Sequence, residues 1–269
     1  MITAVIIAKN EEELIGNAIK SLKLLTNDIV LLDDSSTDST TKISSSLSAQ
    51  VIKLEKNLNF SQKRNAILNE LKTEWIFYLD ADERITKKLA EEIKSVIVSK
   101  NPSSAYWVNR KNYILGKELD SKTWYPDAQP RLFRLKKFKG WTGHIHEGVN
   151  FEGKESNLKS NIVHLTHRSV AAMIEKTNSW SEIEAENLFN INHPKITSVR
   201  LFKLFFTQFF KKYIGDENYK NGIRGVIESF MQVFSVMITY FKLWERQQTP
   251  SIKERYDLIE DQLEKESSK

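Results

Sequence analysis

The first hundred residues alternate between two periodicities, and that alternation limits the chain to few architectures. Short apolar runs rich in β-branched residues, Thr3–Ala8, Asp28–Asp33, Gln50–Leu54 and Trp75–Leu79, predict buried strands. Between them, Glu12–Leu24, Thr37–Leu47, Ser61–Leu71 and Lys87–Val98 space their apolar residues three or four apart, which predicts helices. Strand and helix in such repetition give an α/β fold, a parallel sheet wrapped by right-handed crossovers. Asn10 and Ser36 or Thr37, each with an acidic residue close behind, are the expected N-caps.

From Ala105 to His164 the pattern changes to extended pieces divided by Gly and Pro, which suits an antiparallel or mixed second half. Beyond His167 the chain reads as helical: Ser169–Asn190, Thr197–Ile214 and Gly222–Arg246, then a charged tail forming a short exposed helix. The expected division is a domain over residues 1–168 and a helical extension over 169–269. There is no cysteine, which excludes a disulfide framework and a thiolate metal site. The opening MITAVIIAKNEEE lacks the basic, long apolar and small-residue regions of a signal peptide, so a cytoplasmic location is expected.

Two carboxylate clusters follow predicted strands: Asp33 and Asp34 in LLDDSSTDST, and Asp80, Asp82 and Glu83 in WIFYLDADE. In a parallel sheet, ligands bind outside the carboxyl ends of the strands, so both clusters face one crevice. Asp80 and Asp82, two apart in extended chain, share a side and suit a hard divalent cation that keeps waters and takes phosphate oxygens. One acidic pair at a strand end reads equally as a helix cap or a solvated loop; two on one sheet favour a ligand. A dinucleotide site needs Gly-x-Gly-x-x-Gly after the first strand, whereas AKNEEELIG offers glutamates that repel a pyrophosphate. There is no Walker-type loop, and a receiver domain leaves everything beyond residue 130 unexplained.

The blocks VIIAKNEEELI, DIVLLDDSSTDST, NLNFSQKRNAIL and WIFYLDADE, in that order, resemble the family 2 glycosyltransferases of GT-A fold. PRLFRLKKFKGWTGHIHEG and the Phe-rich basic C-terminus resemble, more loosely, the bacterial lipopolysaccharide-core β-1,4-glucosyltransferase branch. The resemblance implies a three-layer GT-A sandwich, with a nucleotide-binding half over residues 1–100 and an acceptor half over 101–168. It implies an inverting transfer of a hexose, glucose by the branch, from a UDP-sugar to a glycan or lipid-linked acceptor. Ala8, Asn10, Glu12, Asp33, Asp34, Lys63, Arg64, Asp80 and Ala81 fall where the family holds the nucleotide-sugar. Asp33 and Asp34 face base and ribose, and Lys63 or Arg64 the diphosphate. Asp82, ahead of Asp80, falls at the metal ligand of the Asp-x-Asp motif, with Mg2+ or Mn2+ as the cofactor and His164 as a further ligand. Asn59 stands where the family often has Gly, and Asn tolerates a left-handed backbone.

Inversion requires a carboxylate that deprotonates the acceptor hydroxyl. Glu147 in GHIHEG is the expected base, with Asp127 in WYPDAQP second. His144, His146, His164 and His167 also admit a three-histidine zinc site, although a core or hydrogen-bonded histidine is the commoner outcome. Arg131 and Arg134 read as phosphate contacts or solvated strand-edge residues, and Trp124 and Trp141 as sugar platforms or core.

Between Lys195 and Arg246 nine Lys or Arg stand against four Asp or Glu, so this Phe-rich segment carries the excess of the net charge of +5. Such a segment points to an anionic membrane surface rather than nucleic acid. VIESFMQVFSVMITYF runs sixteen residues, short of the ~20 that a spanning helix needs. An interfacial hairpin is therefore preferred to a helical pair packed on the catalytic domain. A nucleotidyltransferase and a non-catalytic membrane scaffold of the same fold are the competing functions.

Overall fold

The computed structural model describes residues 1–143 and 148–267. The chain divides into two compact units, Met1–Tyr113 with Trp124–Thr166, and Ile114–Thr123 with His167–Lys269.

The first unit begins β1 (Ile2–Ala8), α1 (Ile15–Leu22), β2 (Ile29–Asp33), α2 (Thr40–Ser46), β3 (Gln50–Lys53), α3 (Phe60–Asn65) and β4 (Trp75–Asp80). It continues with β5 (Glu83–Arg84), α4 (Lys87–Ile97) and β6 (Ala105–Ile114). The segment 114–123 carries β7 (Lys117–Glu118), and the first unit then resumes with β8 (Ala128–Arg134), β9 (Phe138–Thr142), β10 (Gly148–Phe151), β11 (Glu155–Asn157) and β12 (Ile162–His164). The strands lie in the order β3-β2-β1-β4-β8-β6-β12-β5. β1 pairs in parallel with β2 and β4, and β2 with β3, while β8 runs antiparallel to β4 and β6. This is the expected α/β arrangement, parallel in its first half and mixed in its second.

Continuous rather than alternating apolar runs in β1, β2 and β4 follow from burial on both faces of the sheet. One face sets Ala4, Ile6, Leu31 and Phe77 against Ile15, Ile19 and Leu22 of α1 and Leu89 of α4. The other sets Val5, Val30, Leu32 and Tyr78 against Phe133, Phe138 and Trp141. The sheet is thereby covered on both sides.

The expected N-caps are corrected. Leu14 precedes α1 without a side-chain bond, and Ser39 precedes α2. Asn10, at φ 55°, instead turns its amide toward the second loop, where its Oδ1 accepts from Thr37 N at 2.8 Å and its N donates to Ser36 Oγ at 3.0 Å. Asn59, unlike Asn10, is not left-handed. At φ −73° it caps α3 in a reciprocal box with Gln62, and Asn57 takes the positive φ.

The second unit holds α5 (Val170–Asn190), α6 (Ser198–Phe210), α7 (Gly222–Arg246) and α8 (Ile252–Ser267). Ser169 and Thr197 cap α5 and α6 by accepting from Ala172 N and Arg200 N. The sixteen-residue apolar run lies inside a longer helical stretch: residues Asn218–Arg246 are long and apolar enough to cross a membrane by length and composition alone. One face of α7, however, is buried and partly polar. Glu228, Ser229 and Thr239 are buried, Thr239 Oγ1 reaches Glu184 of α5 at 3.3 Å, and Lys242 Nζ donates to Asn178 O of α5 at 2.6 Å.

Candidate active site

Parallel register brings the two acidic clusters to one edge. Ala8 at the end of β1 is level with Asp33 of β2, and its neighbour Ile7 with Asp80 of β4. Asp33 is buried, and its Oδ1 accepts from Ser36 N at 3.2 Å. Asp34 receives Lys63 Nζ of α3 at 2.7 Å. The two loops above this edge are tied together: Glu12 accepts from Ser39 N, and Asp38 from Glu12 N, both at 3.0 Å. Carboxylates here satisfy backbone N–H groups, so the acidic first loop is compatible with a compact edge.

Asp80 is held by guanidinium groups. Arg131 Nη2 donates to its Oδ2 at 2.7 Å and Arg64 Nη2 to its Oδ1 at 3.3 Å. Burial would raise its carboxyl, but Arg131 and then Arg64 hold it well below the usual carboxylate range. The same Arg131 nitrogen reaches Glu83 Oε1 at 2.5 Å, and Glu83 Oε2 accepts from Asp80 N at 3.1 Å. Burial pushes the Glu83 carboxyl up despite Arg131. Arg64 also stacks its guanidinium 4.7 Å from the centre of the Trp141 ring. Arg134 lies at the opposite end of β8, beside Glu74 on the surface.

Asp82 takes a different partner. β5 pairs with β12, placing His164 opposite Glu83, and His164 Nε2 lies 3.1 Å from Asp82 Oδ2. The tautomer is set from behind. Asn112 Nδ2 donates to Trp124 O and to Asp127 Oδ2, both at 3.0 Å, so its Oδ1 faces His164 Nδ1 at 2.5 Å and can only accept. Nδ1 therefore carries the proton. Nε2 then meets a carboxylate, a contact that needs positive charge between the two, either a second proton on the ring or a metal ion.

A divalent cation fits this donor set. One carboxylate oxygen and one imidazole, its far nitrogen anchored on an amide oxygen, leave positions for water and phosphate oxygens. Asp80 differs from this pair in that each of its oxygens already accepts from an arginine. No group of three or more His, Cys, Asp or Glu side chains is gathered for a metal among the described residues. His167 lies in the second unit, 3.5 Å from Glu228. His144, His146 and Glu147 lie outside the described residues.

Asp127 accepts from Arg110 Nε at 2.8 Å, Arg110 Nη2 at 3.1 Å, Asn112 and Gln129. Burial would raise its carboxyl, but these bonds, Arg110 first, hold it low. An anchored, strongly acidic carboxyl makes a weak general base. Arg110 and Asn112 carried no role from sequence, and Glu83 only membership of the second acidic cluster. The one available signal was polar residues at alternate positions of β6, Arg110 and Asn112, between apolar Val108 and Ile114.

α3 and β9 are joined through Asn65, whose Nδ2 donates to Trp141 O at 2.9 Å and whose Oδ1 accepts from Trp141 N at 2.8 Å. A side chain at Gly140, φ 110°, would stand 2.8 Å from that Oδ1. Asn65→Ala should therefore lower unfolding free energy by about 1–3 kcal/mol, read by urea denaturation followed by far-UV circular dichroism.

An α/β sheet covered on both faces, with acidic clusters at its carboxyl edge, is the arrangement in which this class of fold binds ligands. The sequence model of glycosyl transferase family 2 matches residues 3–153, and the chain belongs to that family. It is a glycosyltransferase of GT-A fold. An uncharacterized glycosyltransferase of Rickettsia conorii is 26% identical over 263 residues, covering 91% of this chain and 90% of that one. The lipopolysaccharide core biosynthesis glycosyltransferase LpsC of Rhizobium meliloti is 26% identical over 254 residues, covering 91% and 92%. Among solved structures, S. aureus TarS 1–349 in complex with UDP-GlcNAc shares the fold at a TM-score of 0.50 and 13% identity, covering 93% of this chain and 92% of that one.

Proposed function

We propose that the chain transfers a hexose, glucose in the first instance, from a UDP-sugar to a glycan or lipid-linked acceptor of the cell envelope, lipopolysaccharide core above all, with inversion. The observation that carries this reading is the Asp82–His164 pair, with its ring orientation fixed by Asn112. The name of the Rhizobium meliloti relative supports the acceptor class, and the UDP-GlcNAc bound by TarS supports the donor class.

In this reading Asp82 and His164 hold Mg2+ or Mn2+, which supplies charge neutralisation for the departing diphosphate. Ala8, Asn10 and Glu12 line the nucleotide side of the edge with Asp33 and Asp34, which take ribose and base. Lys63 and Arg64 lie toward the diphosphate, and Asp80 and Ala81 toward the sugar. Arg131 and Arg64 keep Asp80 ionised and fixed, so that its remaining lone pairs can accept from sugar hydroxyls. Glu147 is the proposed base; Asp127 is better suited to hold Arg110 and Asn112 in place. The catalytic domain spans 1–168, the extension 169–269, and the enzyme works at the cytoplasmic membrane's inner face. A nucleotidyltransferase is disfavoured by the acidic AKNEEELIG loop.

The test is thermal denaturation with a panel of nucleotide-sugars, with and without Mn2+. A donor present at a hundred times its Kd should add about 2.7 kcal/mol to stability, and only with metal. No metal-dependent stabilisation by any UDP- or GDP-sugar would refute the reading.

A further inference from the structure

The second unit carries an exposed apolar ridge. Along α6 and the π-helical turn that follows it, Lys211–Gly215, Phe202, Phe206, Phe210 and Ile214 recur every fourth residue, 53–68% exposed. That spacing keeps them on one slowly turning face of the helix. On another face of α6, Phe209 packs on Phe230 of α7 with ring centres 5.0 Å apart. The ridge is thus surplus to the packing of the unit, and isolated exposed apolar residues are ordinary while a row of four is not.

The charge beside the ridge identifies what covers it. From Ser198 to Gly215 there are four Lys or Arg and no Asp or Glu. Lys203 and Lys211 each follow a ridge phenylalanine directly in sequence and are exposed. A second copy meeting this face by two-fold symmetry would set cation against cation. A protein interface core is also depleted in lysine. Aromatic residues that insert, flanked by lysines that stay at the polar level, are the composition of an interfacial helix on an anionic bilayer.

We propose that α6 seats the protein on anionic phospholipid, with Phe202, Phe206, Phe210 and Ile214 among the acyl chains and Lys203 and Lys211 at the phosphates. Between α6 and α7, a cavity of about 410 Å3 lined by Leu201, Phe202, Phe205, Phe206, Met237 and Phe241 offers room for part of one acyl chain. This deepens the membrane placement proposed above and does not depend on the donor or metal assignment.

The experiment is flotation of the full chain with vesicles of phosphatidylcholine alone or mixed with phosphatidylglycerol. The chain should float with the mixed vesicles and release at high salt. Phe202→Ser/Phe206→Ser should lower vesicle partitioning by at least about tenfold, with thermal stability and UDP-sugar binding kept. Lys203→Glu/Lys211→Glu should lower it about tenfold or more on anionic vesicles and little on neutral ones. Failure of the wild type to float, or flotation unchanged in the Phe variant, overturns the proposal. So does resistance to alkaline carbonate, which would mean that α7 spans. Self-association in light scattering that the Phe variant abolishes, without vesicle binding, would assign the face to a second copy and overturn it too. UDP-sugar stabilisation is read on the same samples, so failure of the donor reading is seen separately.

Discussion

Asp82→Asn should cut sugar transfer on the order of a hundred- to a thousandfold, because a metal ion's neutralisation of transition-state charge is worth several kcal/mol. The introduced amide keeps the shape of the carboxylate and can donate to His164 Nε2, so the ligand-free protein should melt at the wild-type temperature or slightly above. Mn2+ binding, followed by electron paramagnetic resonance of the free ion, should weaken together with the rate. Asn112→Leu provides a graded control. It leaves Asp82 and His164 in place but removes the oxygen that orients the ring, and loss of such an outer partner costs about 10–100-fold in metal affinity. Wild-type transfer and Mn2+ affinity in the Asp82→Asn protein would remove Asp82 from the metal site. A protein in which Asp82→Asn fails and Asn112→Leu is normal would keep the ligand and discard the orienting role.

Asp82 and Asp80 were legible in the sequence because strand ends and acidic spacing are local properties. Both sit at the carboxyl edge of β4 for the reason the pattern gives: Trp75–Leu79 is buried on both faces and the chain must turn at its end. The resemblance set Asp82 ahead of Asp80, but their different partners were not legible. Two carboxylates two residues apart look alike until β8 brings Arg131 beside one and β12 brings His164 beside the other, from 51 and 82 residues away. The same limit explains the misplaced caps. Asn10 and Ser36 have cap chemistry, but their partners lie across loops 26 and 27 residues apart, where tertiary packing outweighs local preference. The bounds of α7, Gly222–Arg246, were legible in the sequence; that Lys242 and Arg246 at its end reach Glu182 of α5 was not.

Glu83 sits at the centre of the largest expected stability effect. It is fully buried, Arg131 is 3% exposed, and the next cation, Arg110, stands 3.6 Å away. Arg131→Met removes the closest counter-charge from Glu83 and one of two from Asp80, and an uncompensated buried charge typically costs about 3–5 kcal/mol. The cost should be greatest at neutral pH. Burial raises Glu83 above its ordinary 4.5 in the folded protein, so the folded state holds the proton more tightly than the unfolded one and gains relative stability as pH falls toward that value. Asp80, held below its ordinary 3.8 by Arg131 and Arg64, contributes wild-type stability that is present above that value and fades as pH falls through the depressed one. Without Arg131 the Glu83 carboxyl is pushed up further, so the variant gains more than the wild type as pH falls, and both effects narrow the gap in acid. Adding Glu83→Gln to Arg131→Met should recover a large part of the loss at neutral pH, because the amide still accepts from Asp80 N and brings no charge. Urea denaturation of the four proteins at neutral and acid pH measures this. A deficit independent of pH, or a double variant as unstable as the sum of the singles, would mean that Arg131 stabilises the fold by packing its stem rather than by neutralising Glu83.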